Sequence, residues 1–351
     1  MKFDYIYSVD ETVVFQGKSY TIKSRCGRYD TPHYFLNGYG KAVPESELNA
    51  YEPTETTETE ATMDFDRSEY IEFLKLFDLR HEQISKYSRN LNLLSAQNEL
   101  NPTYNRDEEI SKIKTILLRR TKPNPLLVGV AGCGKTAIVE GLAKQYVDEA
   151  LKTGDFMNVP IIYDLSLNST ISGAKYRGDF ENVLKQILEL LSENRNIIVF
   201  IDEIHVINEI GSNEGTVSAG QILKPALARG EIRCIGATTT AEYKKYIAND
   251  KALARRFSNV EISPLMGKTR LDCIGKILAE YGEYFSIDVT AVNVNTLNGI
   301  IEDVIPNTVF PDNVIDIIDE TLATAKFNGI LAISDTEIKQ TVSRQHNILI
   351  V

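Results

Sequence analysis

Short, nearly continuous apolar runs alternate with amphipathic stretches through the middle of the chain. The runs lie at residues 126–128, 159–164, 196–203, 232–239 and 260–262. Helical patterns occupy the intervals, most clearly near residues 179–192 and 218–228,. Strands that are apolar along their whole length are buried on both faces, and interleaved helices supply the cover. We therefore predict an α/β domain over residues 101–265, with a parallel sheet covered by helices, and a helical lid over residues 266–351.

The first 51 residues have a different pattern, in which short β-prone runs are separated by turn residues. Residues 12–15 and 19–23 flank a Gln-Gly-Lys turn, and residues 33–36 and 40–43 flank an Asn-Gly turn. Such pairs predict hairpins, and we predict a small five-stranded, SH3-like β-barrel. Its basic residues could form a nucleic-acid or acidic-peptide surface. Because acidic residues are interspersed, we prefer an ordinary solvated face. The tyrosines near these basic residues are Tyr20, Tyr29 and Tyr34.

Two segments connect this unit to the α/β domain. Residues 52–66 are acidic and poor in apolar residues, which is typical of a flexible linker,. Between residues 67 and 100, apolar residues recur at three- and four-residue steps. That spacing predicts amphipathic helices, which we interpret as a brace packed against the α/β domain.

A glycine-rich loop follows the first apolar run and precedes a helical pattern that starts near Ala137. It has the spacing G-x-x-x-x-G-K-T and comprises Gly129, Val130, Ala131, Gly132, Cys133, Gly134, Lys135 and Thr136. Such a backbone turns its N–H groups toward a phosphate chain, and the following helix N-terminus favours negative charge. We expect Lys135 to reach the β- and γ-phosphates of ATP and the Thr136 hydroxyl to hold Mg²⁺.

Two carboxylates end the apolar run at residues 197–201. Asp202 lies where a magnesium-linked acid belongs, at a strand tip beside the phosphate loop,. Glu203 is placed to polarise a water molecule for attack on the γ-phosphate. Thr239, at the end of the next strand, could hold that water or the γ-phosphate through its hydroxyl. Together with the loop, these residues predict nucleotide hydrolysis.

Arg255 and Arg256 stand together just before the last predicted strand. Paired arginines usually lie on a solvated face. Here they follow the strands of the nucleotide site closely, and an arginine presented to the γ-phosphate of a neighbouring subunit would stabilise transition-state charge. The pair therefore favours a ring of identical subunits.

Composition limits the classes of protein to which the chain can belong. Hydrophobic residues make up 43% and charged residues 25%, as in ordinary globular proteins,. The net charge of −11 argues against a protein that coats nucleic acid broadly, although a local basic patch stays possible,. The sequence has neither a run of about 18 apolar residues nor a signal-peptide core. The four cysteines lack metal-ligand spacing,. We expect a reduced cytoplasmic protein without membrane contact.

The sequence resembles the AAA+ ATPases of the Clp unfoldase family, in particular their first nucleotide-binding domain. The likeness runs from about Ile84 to the C-terminus. The stretches that carry it lie at residues 105–110, 134–143, 173–178, 200–205, 223–231, 236–239 and 255–257, and residues 310–320 look like that family's lid helix.

The resemblance implies a role for each matched position. Lys135, Thr136 and Asp202 would bind ATP and Mg²⁺, Glu203 would be the catalytic base, and Thr239 would be the first sensor. Arg255 and Arg256 would be fingers that act on a neighbouring subunit. Thr103 and Tyr104 stand where the family has apolar residues beside adenine. Tyr176, between Lys175 and Arg177, would be the pore-loop aromatic that grips a protein client inside a homohexamer. Residues 211–220 resemble the second pore loop.

The sequence also departs from that family. It carries one ATPase domain where the relatives have two, and a β-rich unit replaces the helical N-terminal domain. We predict an ATPase that remodels or unfolds proteins by threading them through a ring pore. The alternative is a nucleotide-switched assembly factor or helicase loader that acts on a nucleoprotein complex. Tyr176 discriminates between them, because threading needs an exposed aromatic residue there and a switch does not.

Overall fold

The computed structural model describes residues 12–15, 18–28, 31–36, 42–50, 66–172, 177–208, 219–304 and 309–346. The chain divides into two units, Met1–Thr62 and Met63–Val351. Among the described residues, no helix combines the length and the apolar character that crossing a bilayer requires.

The N-terminal unit contains an antiparallel sheet with the strand order β4-β3-β2-β1-β5. Its strands are β1 (Thr12–Phe15), β2 (Lys18–Arg28), β3 (Thr31–Leu36), β4 (Ala42–Pro44) and β5 (Asn49–Ala50). Phe15 pairs with Lys18, so β1 and β2 form a hairpin where the turn residues predict one. Closure of this sheet into an SH3-like barrel stays a prediction. Apart from Tyr20, the side chains of the predicted basic surface lie outside the described ones.

The second unit is built on a six-stranded sheet with the order β11-β7-β10-β9-β8-β6. Its strands are β6 (Ser88–Asn90), β7 (Asn124–Val128), β8 (Ile161–Leu165), β9 (Ile197–Ile201), β10 (Arg233–Thr238) and β11 (Phe257–Glu261). The last five are parallel, and β6 runs antiparallel to β8 at the edge. Every residue of β7 and β9 is buried. The predicted parallel α/β sheet is confirmed.

Ten helices of the second unit precede the lid among the described residues. They are α1 (Arg67–Arg80), α2 (Glu82–Ser85), α3 (Leu91–Ala96), α4 (Asp107–Leu117), α5 (Lys135–Thr153), α6 (Leu167–Ser172), α7 (Arg177–Glu193), α8 (Ala219–Arg229), α9 (Thr240–Glu242) and α10 (Lys251–Ala254). A 3₁₀ turn at Ile204–Asn208 and a π-helical turn at Tyr243–Ile247 complete this part.

The lid has its own apolar core, separate from the core of the large sheet. Its helices are α11 (Gly267–Phe285), α12 (Val294–Val304), α13 (Asp312–Phe327) and α14 (Asp335–His346). Ile274, Ile318 and Leu322 are fully buried within its core. The expectation of helices alone is wrong in one respect, because β12 (Asp288–Ala291) and β13 (Ala332–Ser334) form a short parallel pair. Strands this short carry too little periodicity to separate them from loops.

Strand β6 is the main departure within the segment that we predicted as a helical brace. Arg89 forms an ion pair with Asp164 on β8 at 2.7 Å. The buried Asn92 accepts a hydrogen bond from the Ile162 N–H at 2.9 Å and donates to the Pro160 carbonyl at 3.0 Å. Asn92 thus pairs with backbone groups at the sheet edge, and Arg89 pairs with a side chain of β8. The brace is therefore joined to the sheet by hydrogen bonds as well as by apolar packing.

Asp78, near the end of α1, accepts two further hydrogen bonds at this edge. Its carboxylate accepts from the Tyr163 hydroxyl of β8 and from the Asn90 amide at 2.8 Å. Burial and the neighbouring Asp78 charge raise the pKa of Tyr163. The protonated phenol is thus the form that holds α1 to the sheet.

We expect Tyr163→Phe to lower the free energy of unfolding by about 1–3 kcal/mol, because the Asp78 carboxylate loses a donor while the ring stays in place. The control is Tyr284→Phe, whose parent side chain is 80% exposed and whose loss should change stability by less than about 0.5 kcal/mol. Urea denaturation of both variants measures the difference. Equal values would contradict a stabilising role for the Tyr163–Asp78 bond.

Candidate active site

A cavity of about 650 Å³ opens at the carboxyl ends of the parallel strands. The loop after β7, the tips of β8, β9 and β10, and the start of lid helix α13 line it. Ligands of open α/β sheets bind at this edge, where loops converge and helices begin. The sequence-predicted residues that line it are Ala131, Gly132, Gly134, Lys135, Thr136, Ala137, Asp202, Glu203 and Thr239.

The phosphate loop turns through two glycines with positive φ, Gly132 at +75° and Gly134 at +89°. At Gly132 a side chain would also lack space, since an added Cβ would lie 2.9 Å from the Asp312 carboxylate of the lid. The buried Arg106 donates to the Cys133 carbonyl oxygen at 3.0 Å. Cys133 itself is fully buried, and burial raises the pKa of its thiol. The loop is thus held in one shape from inside the protein.

Lys135 begins α5 and is buried beneath the loop. Its ammonium donates to the carbonyl oxygens of Gly129 at 3.1 Å and Val130 at 2.9 Å. A lysine ammonium has three N–H donors, so two serve the loop and one is left for a ligand. A dehydrated cation at this position attracts an anion strongly, because little water screens the charge.

Thr136 and Asp202 contact each other in the lining of the cavity. The Thr136 hydroxyl donates to Asp202 Oδ2 at 2.7 Å, and Asp202 Oδ1 accepts from the Glu203 N–H at 2.9 Å. Hydroxyl and carboxylate oxygens are the ligands that Mg²⁺ takes in proteins, so this donor set fits a magnesium ion. Glu203 has a φ of +51°, a strained value of the kind that clusters at functional sites.

Thr239 is engaged more tightly than the sequence indicates. Its hydroxyl donates to Glu242 Oε2 at 2.8 Å, and the Glu242 N–H donates back to the Thr239 oxygen at 3.2 Å. This is a capping box that starts α9,. Burial opposes ionisation of Glu242, yet the hydrogen bonds from Thr239 hold its pKa below the usual range. Any ligand that uses the Thr239 hydroxyl competes with this carboxylate.

Sequence reasoning missed Glu242 and Asp312, which line this cavity, and His205, which contacts Glu242. The buried His205 places Nδ1 3.2 Å from Glu242 Oε2 and 3.2 Å from the Thr238 hydroxyl. The Thr-x-x-Glu spacing of a capping box was a signal that would have identified Glu242. Asp312 starts a lid helix, and burial together with the nearby Asp316 charge raises its pKa. No local pattern predicts that a lid residue far along the chain reaches the phosphate loop.

A smaller cavity of about 130 Å³ adjoins the loop on the lid side. Leu265, Ile277 and Ile315 contribute apolar walls, and Thr103, Tyr104 and Cys133 line it as well. Thr103 donates to the Ala137 carbonyl, and the Tyr104 hydroxyl donates to Glu280 on α11 at 2.9 Å. The cavity therefore offers a largely apolar slot between the two cores, with the carboxylates of Glu140 and Glu280 in its lining.

The paired arginines Arg255 and Arg256 lie away from both of these cavities. Phe257 at the start of β11 pairs with Asn124 at the start of β7, whereas the phosphate loop follows Val128 at the end of β7. About four residues of strand, or roughly 13 Å, separate the two edges. Arg255 and Arg256 are exposed at the amino edge, so the structure does not bring them to the cavity of their own chain.

The pore-loop predictions lie mostly outside the described residues. Lys175 and Tyr176 are not among them, nor are residues 209–218, which hold most of the second predicted pore loop. Arg177 is the first residue of α7, but its side chain is not described. These assignments stay predictions.

Residues 125–265 match the family model described as ATPase family associated with various cellular activities (AAA). Two chaperone proteins named ClpB are 42% identical to this chain. The one from Bdellovibrio bacteriovorus aligns over 242 residues, which are 69% of this chain and 28% of that protein. The one from Clostridium tetani aligns over 241 residues, which are 68% of this chain and 28% of that protein.

Two solved structures of Hsp104 also align at 31% identity. The S. cerevisiae Hsp104–ADP complex gives a TM-score of 0.67 and covers 76% of this chain and 46% of that chain. A closed-state reconstruction of Hsp104 with ATPγS and FITC-casein gives 0.66 with the same coverage. The chain spans less than a third of the ClpB relatives and about half of the Hsp104 chains that it matches.

Proposed function

This chain belongs to the Clp family of AAA ATPases, and on that premise we propose that it hydrolyses ATP to pull polypeptide through a ring of its own copies. The observation that carries the proposal is the hydrogen bond between Thr136 and Asp202. It joins the phosphate loop to the tip of β9, beside Glu203. Phosphoryl transfer needs these groups together, because its catalysis consists mainly of positioning and charge stabilisation.

ATP would lie across both cavities. The N–H groups at the start of α5 and the remaining donor of Lys135 would hold the phosphates. The apolar slot beside Tyr104 would take the adenine ring. Thr136 and Asp202 would hold Mg²⁺, which when bound supplies positive charge to the β- and γ-phosphate oxygens.

Glu203 would accept a proton from the attacking water or orient it. Its carboxylate lines the cavity, and its backbone is fixed by the bond to Asp202. Thr239 would assist only after its hydroxyl turns from Glu242 toward the γ-phosphate. This competition would make the sensor respond to the presence of that phosphate.

The arginine pair supports hydrolysis at an interface between copies. Arg255 and Arg256 lie at the sheet edge opposite their own phosphate loop. An arginine there would reach a γ-phosphate only if it belonged to the next copy. We propose a homohexamer on this basis and on the likeness to ClpB and Hsp104.

Threading is the proposed use of the hydrolysis. A matched Hsp104 structure contains casein, which is a polypeptide substrate of the kind that we propose for this chain. The ClpB and Hsp104 likeness favours this function over an assembly switch or helicase loader. We propose that Tyr176 lies in the pore and that the partner is a protein client. We also propose that the protein acts in the cytoplasm.

The ATP site predicts opposite defects for two substitutions. Lys135→Ala should abolish nucleotide binding, because the phosphate charge loses its buried partner. Glu203→Gln should keep binding and slow hydrolysis by about 10²–10⁴-fold. Fluorescent-nucleotide titration and single-turnover assays measure the two steps. Glu193→Gln, an exposed change at the end of α7, is the control. Normal turnover in Glu203→Gln would remove this residue from the mechanism.

For the arginine pair, Arg255→Ala or Arg256→Ala should reduce turnover by about 10³–10⁵-fold, as loss of arginine fingers does elsewhere. ATP binding should persist, because both residues lie away from the cavity. Mixing either variant with Lys135→Ala should restore some activity, since some interfaces then pair an intact loop with intact arginines. Hydrolysis at the wild-type rate by a monomer would refute a shared site.

Threading is tested at Tyr176. An aromatic side chain offers a large contact area to a passing chain at low entropic cost. Tyr176→Ala should therefore abolish ATP-driven unfolding of a tagged fluorescent client and leave basal hydrolysis within a few-fold. Tyr176→Phe keeps the ring and should keep unfolding activity. Equal client unfolding by the alanine variant would favour the assembly-switch function.

A further inference from the structure

A third cavity, of about 500 Å³, opens at the amino edge of the same sheet. The segments that enter β7, β9, β10 and β11 line it together with the end of α8. Because these strands are parallel, their entering ends lie at the edge opposite the phosphate loop. We call this the basic cavity, since eight cationic side chains line it.

The charge of the basic cavity contrasts with that of the chain, whose net charge is −11. Besides Arg255 and Arg256, the cations are Arg119, Arg120, Lys122, Arg195, Arg229 and Arg233. Within the described part of the chain, Glu231 is the one acid in the lining, and it is paired with Arg229. None of the other seven cations forms an ion pair with a described residue. Like charges gathered in a concave surface attract anions and raise their local concentration.

A buried amide at the same cavity lacks an acceptor. Asn124 at the start of β7 is fully buried, and its Oδ1 accepts from the Cys234 N–H at 2.9 Å. That bond fixes which amide atom is oxygen and which is nitrogen. Asn124 Nδ2 has no hydrogen-bond partner among the described residues. An unpaired buried donor costs about 1–3 kcal/mol, so the wall of the basic cavity contains a polar group whose hydrogen bonding is incomplete.

We propose that the basic cavity binds a chain of phosphate groups independently of the phosphate loop. Arginine forks bind phosphate oxygens in pairs. Phosphate chains carry several charges over a short length, whereas an acidic peptide spreads single charges along its backbone. Seven cations without an ion pair to a described residue, around a cavity of about 500 Å³, match the denser anion. The phosphates could come from a free oligophosphate or from nucleotide on a neighbouring copy, and we assign the cavity to the free anion.

An oligophosphate in the basic cavity would also affect hydrolysis, an effect that rests on the function proposed above. Arg255 and Arg256 belong to the basic cavity and also serve as the proposed fingers. An oligophosphate in the cavity would engage them and withhold them from a neighbour. Binding itself needs neither a ring nor hydrolysis, so the two proposals can fail separately.

The experiment is calorimetric titration of inorganic tripolyphosphate into the Lys135→Ala protein, without Mg²⁺. This background lacks the phosphate-loop cation. We expect one tripolyphosphate bound per chain. Adding Arg120→Gln and Arg195→Gln should weaken binding at least tenfold, and both residues are exposed, so the fold should survive. The control pair Arg80→Gln and Arg344→Gln removes the same charge from exposed positions outside the cavity and should leave affinity within about twofold.

Three outcomes would overturn the proposal. The first is equal affinity in the cavity pair and the control pair, which would indicate general charge attraction. The second is no binding in the Lys135→Ala background. The third is binding that disappears when sedimentation shows monomers and returns only with ATP-loaded wild-type copies. That result would assign the cavity to the neighbour's nucleotide alone. Tenfold selective loss in monomers would support a site for free oligophosphate.

Discussion

Parallel pairing of β7 with β10 on one side and β11 on the other fixes which charged groups lie at each edge of the large sheet. Thr238 pairs with Val128 beside the phosphate loop, and Phe257 pairs with Asn124 at the far edge. A shift of register by one residue would turn every side chain of a buried strand to the other face. The register therefore holds acids at one edge of the sheet and arginines at the other. The proposed ATP site and the proposed oligophosphate site therefore lie at opposite edges of one sheet.

The lid completes the site without sharing the core of the sheet. Its apolar core is separate, and it reaches the nucleotide cavities through apolar side chains such as Ile277 and Ile315 and through a few polar contacts. Asp312 approaches Gly132, and Glu280 accepts from Tyr104. Such contacts are weak compared with the burial of two cores. A ligand that lies between the two cores would therefore add substantially to the attachment of the lid.

The parts of the fold that follow from local chemistry were predictable. Strands β7 and β9 are buried along their whole length, so their sequences are continuously apolar. The glycines, Lys135, Thr136 and Asp202 were recognisable because phosphate and magnesium chemistry restricts the residue types. Strand β6 was missed because three residues carry no period, and it is held by tertiary partners such as Asp164.

Contacts between distant segments could not be predicted from the sequence alone. The basic cavity gathers cations from separate segments that only the topology of the sheet brings together. Asp312 and Glu280 reach the nucleotide cavities in the same way, through packing of the lid. The pore-loop residues and the barrel closure of the N-terminal unit stay predictions.

Because the thiol of Cys133 is buried, the phosphate loop resists oxidation and alkylation at this cysteine. Oxidants and alkylating reagents attack thiolates that they can reach. Burial leaves this sulfur fully covered and raises its pKa, although Lys135 and Arg106 act in the opposite direction. The sulfur is therefore a buried thiol with a reduced tendency to form the reactive thiolate. A cysteine in the middle of the proposed ATP site would thus add little sensitivity to peroxide or to cysteine-directed inhibitors.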